Sequence, residues 1–487
     1  MGSKNIFKVA KTFGKLLVAG SNMIDLNKPS NSILCPGDPP PYSDQNMDFR
    51  DYRGLLHPNA IPDSLKSKRK SVVSIGSFVC CNGRRTSPIY LSNEILNNHV
   101  AIIGPPNSGK TEGLILPWVL ELIQAGNSVV LIDVKGDLYY RLHDPIRRSS
   151  NCRLWYWNCW DENNSNAWNW FDEIHEEKDI DVIANSILGK DKNPNQPFFH
   201  LRDNRYLKTL IWGVKIFLGD DATPNALYNL VVNKENIISL GDLCEDFRNE
   251  LSDLVDDDYS EKISGLLNAL SIFKDNRITR LCQSTPNNTN TDIKISDFDT
   301  QQTCLLIGAP LAGKETSEIL SSIMINSLIN HIYKRLQYGQ QLEQNITILI
   351  DEAPRLKNRI NYEEVLAISR SARTGICLTA QDVTQFGNED NRFSVLSNCN
   401  SFITLRGCSQ KTAGFLSQKL GKRTAQFIKQ GYEKGPFDLF SQQNKNFDSN
   451  LVPVLEDREI MNPPEVCGQY CAVVKLPIVK EPFLVSL

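Results

Sequence analysis

Two strings of the form G-x-x-x-x-G-K constrain this chain most, because each demands a strand, a glycine turn and a helix in that order. One lies in "HVAIIGPPNSGKTEGLILPW" (99–118), the other in "LLIGAPLAGKETSEIL" (305–320). In the first, Gly104, Gly109, Lys110 and Thr111 complete the pattern G-x-x-x-x-G-K-[ST] between an apolar strand and a helix. The backbone N–H groups of the loop and the start of the following helix then face a phosphate. The loop Gly104, Pro105, Pro106, Asn107, Ser108, Gly109, Lys110, Thr111 and Glu112 is the expected nucleotide cradle. Lys110 reaches the β- and γ-phosphates and the Thr111 hydroxyl ligates Mg²⁺. In the second string Glu315 stands where Thr111 offers a hydroxyl, adding negative charge beside a polyphosphate, and Thr316 is one residue out of register. The second string is read as a Gly/Pro turn between a strand and a packed helix.

A Mg-nucleotide site also needs carboxylates on a neighbouring strand. "ITILIDEAPRL" (346–356) places Asp351 and Glu352 at the carboxyl end of an apolar run, the edge at which open α/β sheets bind ligands. Asp351 is expected in the Mg²⁺ shell and Glu352 as the group that polarises the attacking water. "SRSARTGICLTAQDVTQF" (369–386) ends another strand at Gln381, whose amide can sense a γ-phosphate. Arg370 and Arg373 precede that strand, and either can supply the arginine that phosphoryl transfer takes from a neighbouring subunit.

The 487 residues allow two or three domains. A net charge of −3 excludes a globally basic nucleic-acid coat but not a basic channel. Thirteen scattered cysteines without zinc-site spacing read as reduced thiols of a cytoplasmic protein. No stretch reaches the roughly 18 apolar residues of a membrane span. Residues 6–20 form an amphipathic pattern interrupted by lysines, and 27–64 read as an extended linker. "SVVSIGSFV" and "PIYLS" suggest a hairpin turning at Asn82-Gly83. From about 98, short apolar runs alternate with helical patterns, the mark of an α/β fold with a central, mostly parallel sheet. Between 178 and 293 the alternation stops and helical patterns take over, an all-α domain inserted in the sheet domain. The expected division is 1–65 (helix and linker, for partner docking or partly disordered), 66–177 and 294–487 (two parts of one nucleotide-binding domain), and 178–293 (the all-α insertion).

In this order the blocks "GPPNSGKTEGLILPW", "VVLIDVKGDLYYRL", "NAWNWFDEI", "ILIDEAPRL", "RSARTGICLTAQDVTQF" and "VLSNCNSFITLRG" resemble the type IV coupling proteins. These are conjugative DNA-transfer ATPases of the RecA-like, FtsK/HerA-related group. The resemblance implies a RecA-like P-loop motor, ATP and Mg²⁺ as ligands, and a homo-hexamer with nucleotide between subunits. It implies DNA, single-stranded and bound without sequence preference, as the translocated partner of a type IV secretion or conjugation channel. It gives Lys110, Thr111, Asp351, Glu352 and Gln381 the roles above and favours Arg370 over Arg373 as the finger. Family members usually begin with transmembrane helices, and none is expected here from the hydropathy of the sequence. Either a separate membrane or channel partner recruits it to the inner membrane through 1–65, or it works as a soluble DNA-processing motor. An adaptor that docks a relaxase or protein cargo is the other alternative.

Overall fold

The computed structural model describes residues 54–80, 84–149, 151–190, 197–255, 258–283, 292–310, 313–339, 344–433, 442–466 and 468–487. The amphipathic stretch 6–20, most of the linker and the Asn82-Gly83 turn lie outside these residues. The strands expected around that turn, β1 (Val73–Val79) and β2 (Arg85–Leu91), are present. They are joined by Val72 N–H to Leu91 O and Cys80 N–H to Arg84 O. The end of the stretch read as an extended linker is folded instead. A 3₁₀ turn at Pro58–Ala60 and a short helix at Asp63–Lys66 bury Leu56, Ile61 and Leu65. Those three apolar side chains, spaced through a Pro- and Ser-containing stretch, give it a core contact that its composition conceals.

The chain divides into two compact units, one of residues 63–75 and 88–405, the other of residues up to 62, 76–87 and 406–487. The first is built on seven strands: β3 (Val100–Ile103), β4 (Ser128–Asp133), β5 (Arg153–Trp157), β6 (Thr303–Gly308), β7 (Ile346–Ile350), β8 (Thr374–Ala380) and β9 (Ser401–Leu405). Their order across the sheet is β9-β3-β8-β7-β4-β6-β5, and every neighbouring pair is parallel. All residues of β3, β4 and β6 to β9 are buried, which explains their unbroken apolar runs. The register brings the carboxyl ends level. Ile103 lies opposite Ala380 and Thr404, and Ile350 opposite Ile132 and Leu378. Whatever follows these strands therefore meets at one sheet edge.

Between β5 and β6 the described residues form helices and turns, with no strand and one isolated bridge, Ala167 to Asp292. Helices occupy Glu177–Leu188, Pro197–Leu218, Pro224–Val232, Lys234–Leu243, Glu245–Leu251, Tyr259–Leu270 and Asn276–Leu281. Local chemistry sets their starts. Thr223 caps the third by accepting Ala226 N–H, with Pro224 in its first turn, where a missing N–H costs nothing. Leu207, Leu210, Ile211, Leu227, Leu266, Leu270 and Phe273 form the core of this bundle, each almost fully buried. The 24-residue helix Lys314–Gln337 packs on Glu177–Leu188 and is tied to it by the buried carboxylate of Asp179, which accepts from Lys334 Nζ (2.5 Å) and Asn330 Nδ2 (2.7 Å).

The second unit contains β10 (Lys422–Glu433) and β11 (Gln442–Pro453), a two-stranded antiparallel ribbon, followed by β12 (Glu465–Val466), β13 (Gln469–Lys475) and β14 (Phe483–Ser486). β14 pairs antiparallel with both β13 and β1. Gly76, at φ +106, sits where a Cβ would meet Ser486 O at 2.3 Å, so no other residue fits at that crossing.

His99, just before β3, shows how the opposite sheet edge is held. Its ring is fully buried; Nδ1 accepts from Ile376 N–H (3.1 Å), so Nε2 carries the proton and donates to Leu366 O (2.6 Å). Burial pushes this imidazole from 6.5 down to about 4, and nearby Arg370 adds to the effect. The unfolded chain takes up a proton below 6.5 that the folded chain refuses until about pH 4. Stability therefore falls as pH drops through this window, by about 3 kcal/mol in total. Chemical unfolding from pH 7 to pH 4 should show a shallower pH slope for His99→Asn than for the wild type. Equal slopes would refute this account.

Candidate functional site

At the carboxyl edge of β3 the chain turns into the loop 104–111. Gly104 has no space for a side chain, since a Cβ would lie 2.7 Å from both Leu405 Cβ and Ser108 Oγ. Asn107 (φ +60) and Gly109 (φ +93) are left-handed, an alternation that lines up N–H groups as an anion nest. Around Gly109 nothing lies within 4 Å of a built Cβ, and Ser108 Oγ is buried with no hydrogen-bond partner. An open cradle with an unsatisfied hydroxyl fits a phosphate. The helix that follows begins as a π-turn, Lys110–Ile115, with Leu116 N–H bonded back to Thr111 O. Only then does the α-helix Leu116–Gln124 start, with Pro117 in its first turn. The wider turn removes the clash that Pro117 would cause inside a continuous α-helix.

Lys110 is 6% exposed and its ammonium donates to Gly104 O and, at 3.1 Å, to Pro105 O. Burial pushes it below the ordinary lysine value, opposed by the negative charges of Glu352 and Asp351. Those charges come from the end of β7, one strand beyond β8. Asp351 N–H bonds to Ile132 O of β4 (3.1 Å), which fixes the carboxylate at the sheet edge. Asp351 Oδ1 accepts from Thr379 Oγ1 (2.7 Å). Glu352 is left-handed (φ 49, ψ 49), with its N–H donating to the same Thr379 Oγ1 (3.0 Å). Gln381 Nε2 donates to Glu352 Oε1 (3.0 Å), while the Gln381 N–H is held by Gln385 Oε1 (3.0 Å). One edge thus joins the loop 104–111, Lys110, Asp351, Glu352 and Gln381.

Glu112 points elsewhere: Arg141 forks onto its two oxygens at 2.6 Å each and holds the exposed carboxylate below its ordinary range. Arg370 and Arg373 lie at the far end of β8, on the opposite sheet edge from Gln381. Seven strand residues separate them from it, roughly 25 Å. Both are exposed, and Arg370 Nη2 reaches Asn398 O at 3.4 Å.

Two more side chains contribute, one missed by sequence reading and one quoted there only within a block and given no role. Thr379 is a hydroxyl inside the apolar run "GICLTA", and Asp133 ends β4 in "LIDVKGD". The buried Asp133 carboxylate accepts from Lys135 N–H (2.9 Å) and Leu138 N–H (2.8 Å), shaping the loop beside Asp351. Burial raises it above the ordinary aspartate value against those bonds. Thr379 gives only a lone polar residue near a strand end as its sequence signal, whereas Asp133 lies in the block "VVLIDVKGDLYYRL".

The second glycine-lysine string is arranged differently. The Trp160 ring lies against Gly313, where a Cβ would come within 1.9 Å of it, and its Nε1 donates to Ser317 Oγ (3.0 Å). Lys314 is exposed and faces Glu318 (3.9 Å). An indole covers the helix start that the first loop leaves open.

The fold matches solved structures of the conjugative coupling protein TrwB. Unbound TrwBdeltaN70 aligns at TM-score 0.65 and 16% identity, covering 89% of this chain and 92% of that one. TrwB in complex with ADP and Mg²⁺ gives the same TM-score, identity and coverage. VirB4 of Thermoanaerobacter pseudethanolicus aligns at TM-score 0.51 and 10% identity, over 86% of this chain and 96% of its own. These likenesses identify the architecture as a RecA-like P-loop fold with an all-α insertion. No protein of curated function matches by sequence. The family described as type IV secretory system conjugative DNA transfer matches residues 55–468, and the chain belongs to that family.

Proposed function

We propose that this chain is an ATP-hydrolysing DNA translocase that couples DNA to a type IV secretion or conjugation channel. The observation that carries the reading is the meeting of Lys110, Asp351, Glu352 and Gln381 at one sheet edge beside an open glycine loop. TrwB has been solved with an ATP analogue and with ADP and Mg²⁺, which supports the same ligands here. The loop 104–112 holds the phosphates through the N–H groups that follow Pro106, and Lys110 leaves the Gly104 and Pro105 carbonyls to neutralise the β- and γ-phosphates. Thr111 and Asp351 would hold Mg²⁺, which when bound offsets charge on the phosphate oxygens. Glu352 accepts the proton of the attacking water, and Gln381 shifts its amide from Glu352 to the γ-phosphate.

Arg370 and Arg373 sit too far from their own loop to reach it, so a finger role requires the neighbouring protomer of a ring. A homo-hexamer with single-stranded DNA in its pore is therefore part of the proposal. The test is ATP turnover by the full chain with and without single-stranded DNA, repeated with Arg370→Ala doped into wild type. Turnover should rise several-fold with DNA and fall faster than the doped fraction. ATP binding with a rate indifferent to DNA would favour instead an adaptor docking a relaxase or protein cargo.

A further inference from the structure

We propose that Thr379 is a positioning residue of the hydrolytic site, setting the Asp351 carboxylate and the Glu352 backbone through one hydroxyl; this rests on the ATPase reading above. Thr379 is fully buried in β8, between β3 and β7. Its single proton goes to Asp351 Oδ1 (2.7 Å), and a lone pair of the same oxygen takes the Glu352 N–H (3.0 Å). A hydroxyl has one donor and two acceptor sites, so both bonds form without competing. Asp351 thereby has one oxygen assigned and its plane fixed, as outer partners fix carboxylates that serve metals.

The second bond matters because Glu352 is left-handed, a conformation a non-glycine residue keeps only where its surroundings over-determine it. Three ties do so here. The Thr379 hydroxyl holds the N–H, the Gln381 amide holds the side chain, and Pro354 in the next turn limits the backbone. Valine has the shape of threonine without the hydroxyl. At 379 it would leave the Asp351 oxygen and the Glu352 N–H unpaired in a buried place, free to move the two groups that face metal and water. A merely structural threonine would change stability alone.

The test compares Thr379→Val and Thr379→Ser in the full chain. For Thr379→Val we expect kcat to fall roughly 10- to 100-fold and half-activating Mg²⁺ to rise by a similar factor. ADP affinity without metal should be unchanged. Serine keeps the hydroxyl and should restore both values to within about threefold of wild type. Should Thr379→Val not fold, Thr379→Cys, of similar size but a weak donor, carries the same expectation. Wild-type kcat and Mg²⁺ dependence in the valine or cysteine variant would overturn the proposal, as would serine as impaired as valine. Mn²⁺ binding in the presence of ADP, read by electron paramagnetic resonance, separates the two levels. If wild type fails to hydrolyse ATP, the ATPase reading falls. A Mn²⁺ affinity about tenfold weaker in Thr379→Val then still supports the positioning role, and an equal affinity removes it.

Discussion

Replacing Lys110 with alanine is expected to lower ATP turnover by roughly 10³-fold, the scale on which one positioned charge or donor supports a developing negative charge in a dry site. Lys110 is the buried cation of the 104–111 loop, and the carboxylates of Asp351 and Glu352 act on it directly. Steady-state phosphate release at saturating Mg-ATP measures the loss. Lys314→Ala is the matched control, since its ammonium is exposed opposite Glu318 while Trp160 covers the neighbouring helix start. It should stay within about twofold of wild type, because an exposed charge away from the reacting phosphate contributes little. The reverse pattern, with Lys314→Ala inactive and Lys110→Ala active, would move the site to the second loop.

Glu352→Gln is expected to reduce kcat by roughly 10² to 10⁴-fold, the usual worth of a general base, while leaving Mg-ATP binding within a few-fold. Glutamine retains an oxygen that can accept from Gln381 Nε2, and the backbone bond to Thr379 is untouched, so the left-handed turn survives. The variant should therefore bind ATP and keep it unhydrolysed. Filter binding with labelled ATP, followed by product analysis of the bound nucleotide, distinguishes this from a binding defect. Wild-type turnover by Glu352→Gln would show that another group activates the water. Loss of binding together with turnover would show that Glu352 serves the cradle instead.

Much of the fold was legible because its elements are locally coded. Continuous apolar runs such as "VAIIG" and "ITILID" become buried parallel strands, and the helical patterns after 178 become helices, since periodicity and caps act within a few residues. Pro117 marks the limit of that local code. Nothing in "KTEGLILPW" announces a π-turn, because that depends on how the loop enters the helix. The stretch 54–64 was misread as extended for a related reason. Leu56, Ile61 and Leu65 look incidental in a proline- and serine-containing stretch until distant residues arrive to bury them.

The division at the candidate site follows the same physics. By itself the sequence determined the glycine loop 104–111 after a strand and the Asp351-Glu352 pair at a strand end, because both are written in contiguous residues. Only the tertiary structure decided that Thr379 serves both carboxylate-bearing residues, that Gln381 holds Glu352, and that Trp160 covers the second loop. Those facts depend on which strands are neighbours and on their register, and parallel neighbours such as β7 and β8 are paired by long-range packing that no local pattern encodes.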